Sequence, residues 1–359
     1  MILYKKDSKG KIRTLEITTD GNLLLQISGL KDGAKVTNKR ACTPKNIGKA
    51  NETTPEEQAE REAKSKITQK LDEGYFKTEE EALNTEVILP MLAQDYKKHY
   101  KKIDWSKLVF KQPKLDGMRC LGVSDSTLMS RKGKYIDTLV HLYNELNILR
   151  DLLGGLIPDG ELYAHGLSFE DNMRLIKKYR KGKTESIMFH VYDVVCDKPF
   201  QDRYDILFKA FQKYSFHHID LVDTSIIGDI IELQYAQTEY LASGYEGTII
   251  RHGDFPYQLD TRSYSLLKYK DFKDMSSEII DVIPSEARPE QGIIVCKAPE
   301  NSENCVSFKA SLKFPHKKRE EILDNKEDYI GQVAEIRYFE ETSYGIPRFP
   351  VCVGFRLDK

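Results

Sequence analysis

Lys114-Leu115-Asp116-Gly117-Met118-Arg119 is the stretch on which the reading of this 359-residue chain turns. It follows the apolar pair Val109-Phe110 and Pro113, and Gly117 is expected to supply a tight bend before the next strand. An amine held at such a bend is a candidate nucleophile; an exposed turn lysine is the plain alternative. With average residue usage, K-x-D-G-x-R arises by chance in a chain this long on the order of a few times in a thousand. What decides between the two is whether other segments agree.

Several do. In order come Ser130-Arg131-Lys132-Gly133-Lys134, Asp159-Gly160-Glu161-Leu162-Tyr163, Phe189-His190-Val191-Tyr192-Asp193, Glu246-Gly247-Thr248-Ile249-Ile250-Arg251 and Leu266-Leu267-Lys268-Tyr269-Lys270, and the sequence closes on Arg356-Leu357-Asp358-Lys359. Singly each is weak, since D-G-E is a common turn, E-G-T can open a hairpin and strand lysines are usually solvated. The ordered set is strong.

This series runs from about Val109 to Lys359 and resembles the covalent nucleotidyltransferase superfamily of DNA ligases, RNA ligases and mRNA capping enzymes. Within it the chain is most similar to ATP-dependent DNA ligases, as a small phage or viral type with an extra N-terminal module. The resemblance implies ATP as cofactor, AMP attached covalently to Lys114, Mg²⁺ or Mn²⁺ as the metal, and sealing of nicked duplex DNA between a 5′-phosphate and a 3′-hydroxyl. It also implies roles for single residues. Glu161 would contact ribose or a metal, Tyr192 would stack on adenine where the family usually has Phe, and Glu246 would help hold a divalent metal. Arg119 and Arg131 would bind ribose or phosphate, with Arg131 nearer the nick and Lys134 beside it on DNA. The closing Arg356 and Lys359 fall in what looks like the family's last motif, which orients the pyrophosphate leaving group; the plain alternative is a charged tail.

The chemistry accounts for the residue types. An amine attacks phosphorus only when unprotonated, so burial or nearby cations must lower its pKa, and Lys268 and Lys270 are placed to do so. Positions two apart on a strand share a face, which points both lysines into one cleft, where neutralising phosphate is their natural role. Glu161 and Glu246 are the motif glutamates suited to hold Mg²⁺ together with substrate phosphate.

Two relatives compete with a DNA ligase. RNA ligases usually carry K-x-x-G followed by a small residue and Asn, which Asp116 and Arg119 do not fit, whereas capping guanylyltransferases share K-x-D-G-x-R and R-x-D-K. A catalytically inactive DNA-binding scaffold is the non-enzyme alternative, and the intact reactive positions argue against it.

The expected architecture is multidomain α+β: a small β-rich N-terminal domain with a helix (1–95), a nucleotidyltransferase or adenylation domain (96–274) and an OB-fold barrel (275–359). From Met1 to Val36, short strands alternate with turn signals at Asp7-Ser8-Lys9-Gly10, Asp20-Gly21-Asn22 and Lys31-Asp32-Gly33. Thr54, Pro55 and Glu57 mark a helix start, with a run to about Leu71 and a stop at Gly74. Apolar residues at helical spacing predict further helices from Leu139 to Leu149 and from Ile226 to Ala242, and beyond about Met275 helical periods nearly vanish.

Lys and Arg number 55 against 56 Asp and Glu, a net charge of -1, so nucleic-acid binding must come from local clusters. Candidates are Lys97-Lys98 with Lys101-Lys102, the run Lys177 to Lys183, and His316-Lys317-Lys318-Arg319. The six cysteines are scattered without C-x-x-C pairs, Met1 to Arg13 lacks a signal-peptide core, and no apolar run reaches membrane length. A monomer in a reducing, intracellular setting such as a host cytoplasm is expected, with no membrane association and no protein partner named by the sequence.

Overall fold

Turns between Lys6 and Ile12, at Asp20-Gly21 and at Lys31-Asp32-Gly33 fold the N-terminal stretch back on itself three times. In the computed structural model, which describes residues 1–7, 10–84, 88–124, 126–303, 305–342 and 344–356, the product is a four-stranded antiparallel meander of β1 (Ile2–Lys6), β2 (Ile12–Asp20), β3 (Leu23–Leu30) and β4 (Lys35–Ala41). Period-two alternation sends Leu3, Leu15, Ile17 and Leu24 to one face, where Ala59, Ala63 and Ile67 of helix α1 (Pro55–Asp72) cover them. Strand structure extends past Val36 to Ala41 because β3 supplies the backbone pairing, while the polar side chains of this exposed edge give no apolar signal. Helix α1 begins at a capping box: Thr54 accepts from the Glu57 N–H and Glu57 accepts from the Thr54 N–H. It ends at Glu73, before Gly74 in the left-handed region.

After α2 (Glu79–Asn84) come β5 (Leu92–Asp95), α3 (Tyr96–His99), β6 (Val109–Lys114), β7 (Met118–Ser124), β8 (Thr127–Ser130), β9 (Tyr135–Ile136), α4 (Tyr143–Leu152), β10 (Ile157–Tyr163), α5 (Phe169–Lys177), β11 (Met188–Val195), α6 (Phe200–Lys213), β12 (Ile219–Leu221), β13 (Ser225–Ile227), α7 (Ile230–Ala242), β14 (Gly247–His252) and β15 (Arg262–Tyr269). They form a six-stranded sheet in the order β12-β11-β10-β7-β8-β9 and a five-stranded sheet in the order β13-β6-β14-β15-β5. Leu146 and Leu149 of α4, with Leu142 just before it, pack against Cys120, Leu128, Leu162 and Phe189 of the six-stranded sheet. The segment expected as one helix from Ile226 is two elements. Ser225–Ile227 pairs with β6, and α7 starts only after Asp229, whose side chain accepts from the Ile231 and Glu232 N–H groups.

Contacts divide the chain into two compact units, Met1–Lys270 and Asp271–Lys359. The second is a closed barrel of β16 (Lys273–Pro284), β17 (Gly292–Lys297), β18 (Ser307–Leu312), β19 (Val333–Tyr338) and β20 (Val351–Arg356), in the order β16-β17-β18-β20-β19, the five-stranded architecture of an OB fold. One helix in this unit, α8 (His316–Asp324), departs from the reading that helices fade here. Its composition hides it, because Ile322 alone among its residues is buried and the cluster His316-Lys317-Lys318-Arg319 forms its first turn. No helix among the described residues is long and apolar enough to cross a membrane.

Candidate active site

Lys114 is the last residue of β6, lying opposite Gly247 on β14. The neighbouring Glu246 N–H donates to the Lys114 carbonyl at 2.9 Å, which brings the two side chains together: Lys114 Nζ donates to Glu246 Oε2, and Lys270 Nζ donates to Oε1 at 3.1 Å. Gly247 makes this tight corner feasible, since its φ is +141° and a Cβ there would lie 2.3 Å from the Tyr269 carbonyl oxygen. Gly117 forms the expected bend just before β7. Its backbone is outside the left-handed region, and the residue is small because a Cβ would sit 2.2 Å from the Leu162 carbonyl oxygen, where β7 closes on β10.

The six-stranded sheet supplies the other wall. Register places Arg119 of β7 and His190 of β11 on either side of Glu161 of β10. Arg119 Nε donates to Asp159 Oδ1 at 2.9 Å, and the Tyr257 hydroxyl donates to Oδ2 of the same carboxylate at 2.8 Å. The Tyr192 hydroxyl donates to Glu161 Oε2 at 3.3 Å. Between the sheets lies a cavity of about 300 Å³ whose lining includes Lys114 and Lys268 from one sheet with Lys270 just past the end of β15, Arg119, Glu161 and Tyr192 from the other sheet, and Arg131.

Charge in the cavity is predominantly positive. Burial, followed by Lys270, Lys114 and Arg262, pushes the Lys268 ammonium below its ordinary value. Burial and the neighbouring Arg262 and Arg119 do the same to Arg131. Burial pushes the Glu161 carboxyl up to about 7 although Lys114 and Arg119 pull it down, with Glu246 and Asp159 adding to the rise. Burial would also raise Glu246, but Lys114 and Lys270 outweigh it and hold that carboxyl below the usual range. Such a site attracts a polyanion with an apolar or aromatic group, the character of a nucleoside triphosphate.

Other positions singled out in the sequence lie elsewhere. Lys134 and Lys132 point away from the cavity to Asp72 and Glu73 at the end of α1. Lys97 and Lys98 are exposed on α3 and do not line the cavity. Arg356 ends β20 in the second unit, 3.5 Å from Glu335, and Lys359 falls outside the described residues. The sequence reading assigned no role to Gln112, Arg251 or Arg262, which also line the cavity. Arg251 Nε donates to Gln112 Oε1 at 2.6 Å and its guanidinium lies 5.3 Å from the Tyr192 ring centre. The available signal was alternation on β14, which puts Ile249 and Arg251 on one face.

Among the described residues no group of three or more His, Cys, Asp or Glu could hold a metal. Two carboxylates remain, Glu161 and Glu246. That number suits Mg²⁺, which is commonly bound through one or two carboxylates plus substrate phosphates and water.

Comparison with known proteins agrees with this geometry. Residues 90–270 match the ATP dependent DNA ligase domain, and residues 290–356 match the DNA ligase OB-like domain. The chain is 27% identical over 342 residues to the DNA ligase of African swine fever virus, covering 88% of this chain and 79% of the relative. With the DNA ligase of Enterobacteria phage T4 it shares 23% over 317 residues, covering 70% of this chain and 64% of that one. A solved Lig E DNA ligase superposes with a TM-score of 0.62 at 20% identity, over 76% of this chain and 100% of its own, a likeness of fold. An adenylation fold matched across half the sequence, followed by an OB-like barrel matched in its turn, places this chain in the ATP-dependent DNA ligase family.

Proposed function

We propose that ligation runs through AMP bound covalently to Lys114, with nicked duplex DNA as the substrate. Lys114 Nζ attacks the α-phosphorus of ATP, forming an N–P bond as the bond to pyrophosphate breaks. The AMP then passes to the 5′-phosphate at the nick, and the adjacent 3′-hydroxyl displaces it to close the strand. Each step is an in-line displacement, so positioning and charge neutralisation supply most of the acceleration. The observation that carries this reading is the placement of Lys114 and Lys270 on the two oxygens of Glu246, at one wall of a cavity faced by Glu161 and Tyr192.

Within that cavity Lys268 and Lys270 neutralise phosphate, Arg119 and Glu161 hold the ribose, and Tyr192 stacks on adenine. Lys114 must leave Glu246 and shed a proton before it can attack. Glu161 and Glu246 would hold Mg²⁺, or Mn²⁺ in its place, which supplies charge neutralisation on the phosphates. Arg131 and Lys134 contact DNA near the nick, and Lys97 and Lys98 extend the phosphate track. Residues 1–95 act as an additional DNA grip, 96–274 carry adenylation, and 275–359 contribute Arg356 and Lys359 to pyrophosphate release. The enzyme works as a monomer.

Incubation with α-labelled ATP tests the central claim. A protein–AMP adduct that forms with ATP, is absent in Lys114→Ala and transfers to nicked DNA is the expected result. Labelling from GTP would favour a capping activity instead, and sealing confined to nicked RNA would favour an RNA ligase.

A further inference from the structure

The hairpin from Ser130 to Lys134 divides its cations between two destinations. Arg131 lines the nucleotide cavity, while Lys134 Nζ meets Asp72 Oδ2 at 2.6 Å and Lys132 Nζ meets Glu73 Oε1 at 3.3 Å. The end of α1 is therefore seated on the outer side of the hairpin. Glu73 holds Lys70 Nζ at 2.7 Å as well, and its backbone carbonyl accepts from Lys5 Nζ at 2.9 Å. Four lysines converge on one short stretch of helix end.

The location is unfavourable for carboxylates on local grounds. The last turn of a helix carries the negative end of its dipole, which prefers cations. Asp72 and Glu73 sit there nonetheless, so the hairpin lysines face two adjacent carboxylates, anionic oxygens as the phosphates of a nucleic-acid backbone are. Lys132 and Lys134 remain 71% and 60% exposed in these pairs, Asp72 is 39% exposed and Glu73 18%, so the two lysines are free to leave their partners and the Asp72 pair is the weaker hold.

We infer that in the free enzyme the Asp72–Glu73 end of α1 occupies the seat which Lys132 and Lys134 offer to duplex phosphates, and that nicked DNA displaces it. This rests on the reading that the Ser130 to Lys134 hairpin touches DNA. Both anions answer to the same two lysines, so they compete, and DNA affinity is held below what the hairpin alone would give. Displacement also releases the N-terminal module from the catalytic region at the moment substrate arrives.

The test is the dissociation constant of the full chain for a nicked duplex at low salt, with thermal melting as the check on folding. Asp72→Asn/Glu73→Gln should bind on the order of threefold to tenfold tighter, with Asp72→Asn alone giving part of the gain, and Lys114 adenylylation should be unchanged. In a Lys132→Ala/Lys134→Ala background the gain should vanish. No gain, or weaker binding, overturns the inference. A gain undiminished by loss of the two lysines also overturns it, because the carboxylates would then act only through general repulsion of DNA. Separately, wild-type affinity in Lys132→Ala/Lys134→Ala would remove the hairpin from the DNA surface, and so mark failure of the underlying reading.

Discussion

Asp193 is fully buried and holds two guanidiniums, Arg203 through Nε at 2.7 Å and Nη2 at 3.1 Å and Arg251 through Nη1. Burial would raise its carboxyl, yet Arg251 and Arg203 keep it below the ordinary value. Asp193→Ala strands two buried cations, so it should destabilise the first unit by about 3–5 kcal/mol in a denaturant titration. Because Arg251 also faces Tyr192 and bonds Gln112, the same variant should weaken ATP binding in whatever protein folds. Glu161 carries the opposite consequence. Its folded carboxyl titrates at about 7, above the ordinary 4.5, so the folded state prefers it protonated and stability is lost as pH rises between those values. Glu161→Gln removes that loss. Thermal melts of metal-free protein should show the variant gaining on wild type from pH 4.5 to 7 and holding the gain above, while adenylylation falls. A gap independent of pH would contradict this. At this scale Lys114, Glu161 and Glu246, which the fold gathers at one cavity wall or across from it, were legible in the motifs, whereas Gln112, Arg251 and Arg262 were not. Nothing in a linear sequence says which polar residue of a buried strand faces a cavity.

Among the elements, α1 is the one the sequence marked best, because both ends are set by local chemistry: a reciprocal cap at Thr54 and Glu57, and a left-handed Gly74. Thr54→Ala should cost about 1 kcal/mol of module stability, read from hydrogen exchange in α1. Leu146 of α4 is buried against the six-stranded sheet, and Leu146→Ala should cost about 2–5 kcal/mol. Elements with long-range causes were harder to read. Ser225–Ile227 became a strand because β6 offers an edge to it, against the helical spacing of its apolar residues. Helix α8 was hidden by a surface so polar that only the adjacent Ile322 and Leu323 tie it to the barrel core. Gly117 makes the bend its sequence suggests, but the second demand on it, room beneath the Leu162 carbonyl, comes from a distant strand and was not legible.

For the whole molecule, a net charge of -1 means that DNA affinity must come from where cations are gathered. The exposed run from Lys177 to Lys183 lies at the end of α5 and beyond it. If this run tracks phosphate, each lysine or arginine removed should lower the slope of log affinity against log salt by about 1, with little effect on adenylylation. A truncated chain starting at Gln94, which also lacks Asp72 and Glu73, should bind nicked duplex more weakly than the full-length Asp72→Asn/Glu73→Gln variant if the N-terminal module grips DNA; equal binding would argue that it does not. Deleting residues 356–359 should slow adenylylation while sparing closure of pre-adenylylated nicks, since only the first step expels pyrophosphate.

The sequence by itself determined the family of this protein, because its motifs are short runs of particular side chains at fixed places along strands, and those places are short-range. It also determined the outline of the fold, an N-terminal β module, an α+β adenylation domain and an OB barrel, through alternation and turn residues. Tertiary structure decided what faces what: that Glu246 is shared by Lys114 and Lys270, that Arg251 backs Tyr192, and that the end of α1 lies on the Ser130 to Lys134 hairpin. Such pairings join residues far apart in the chain, and their energies arise only once packing has brought the groups together and removed water from between them.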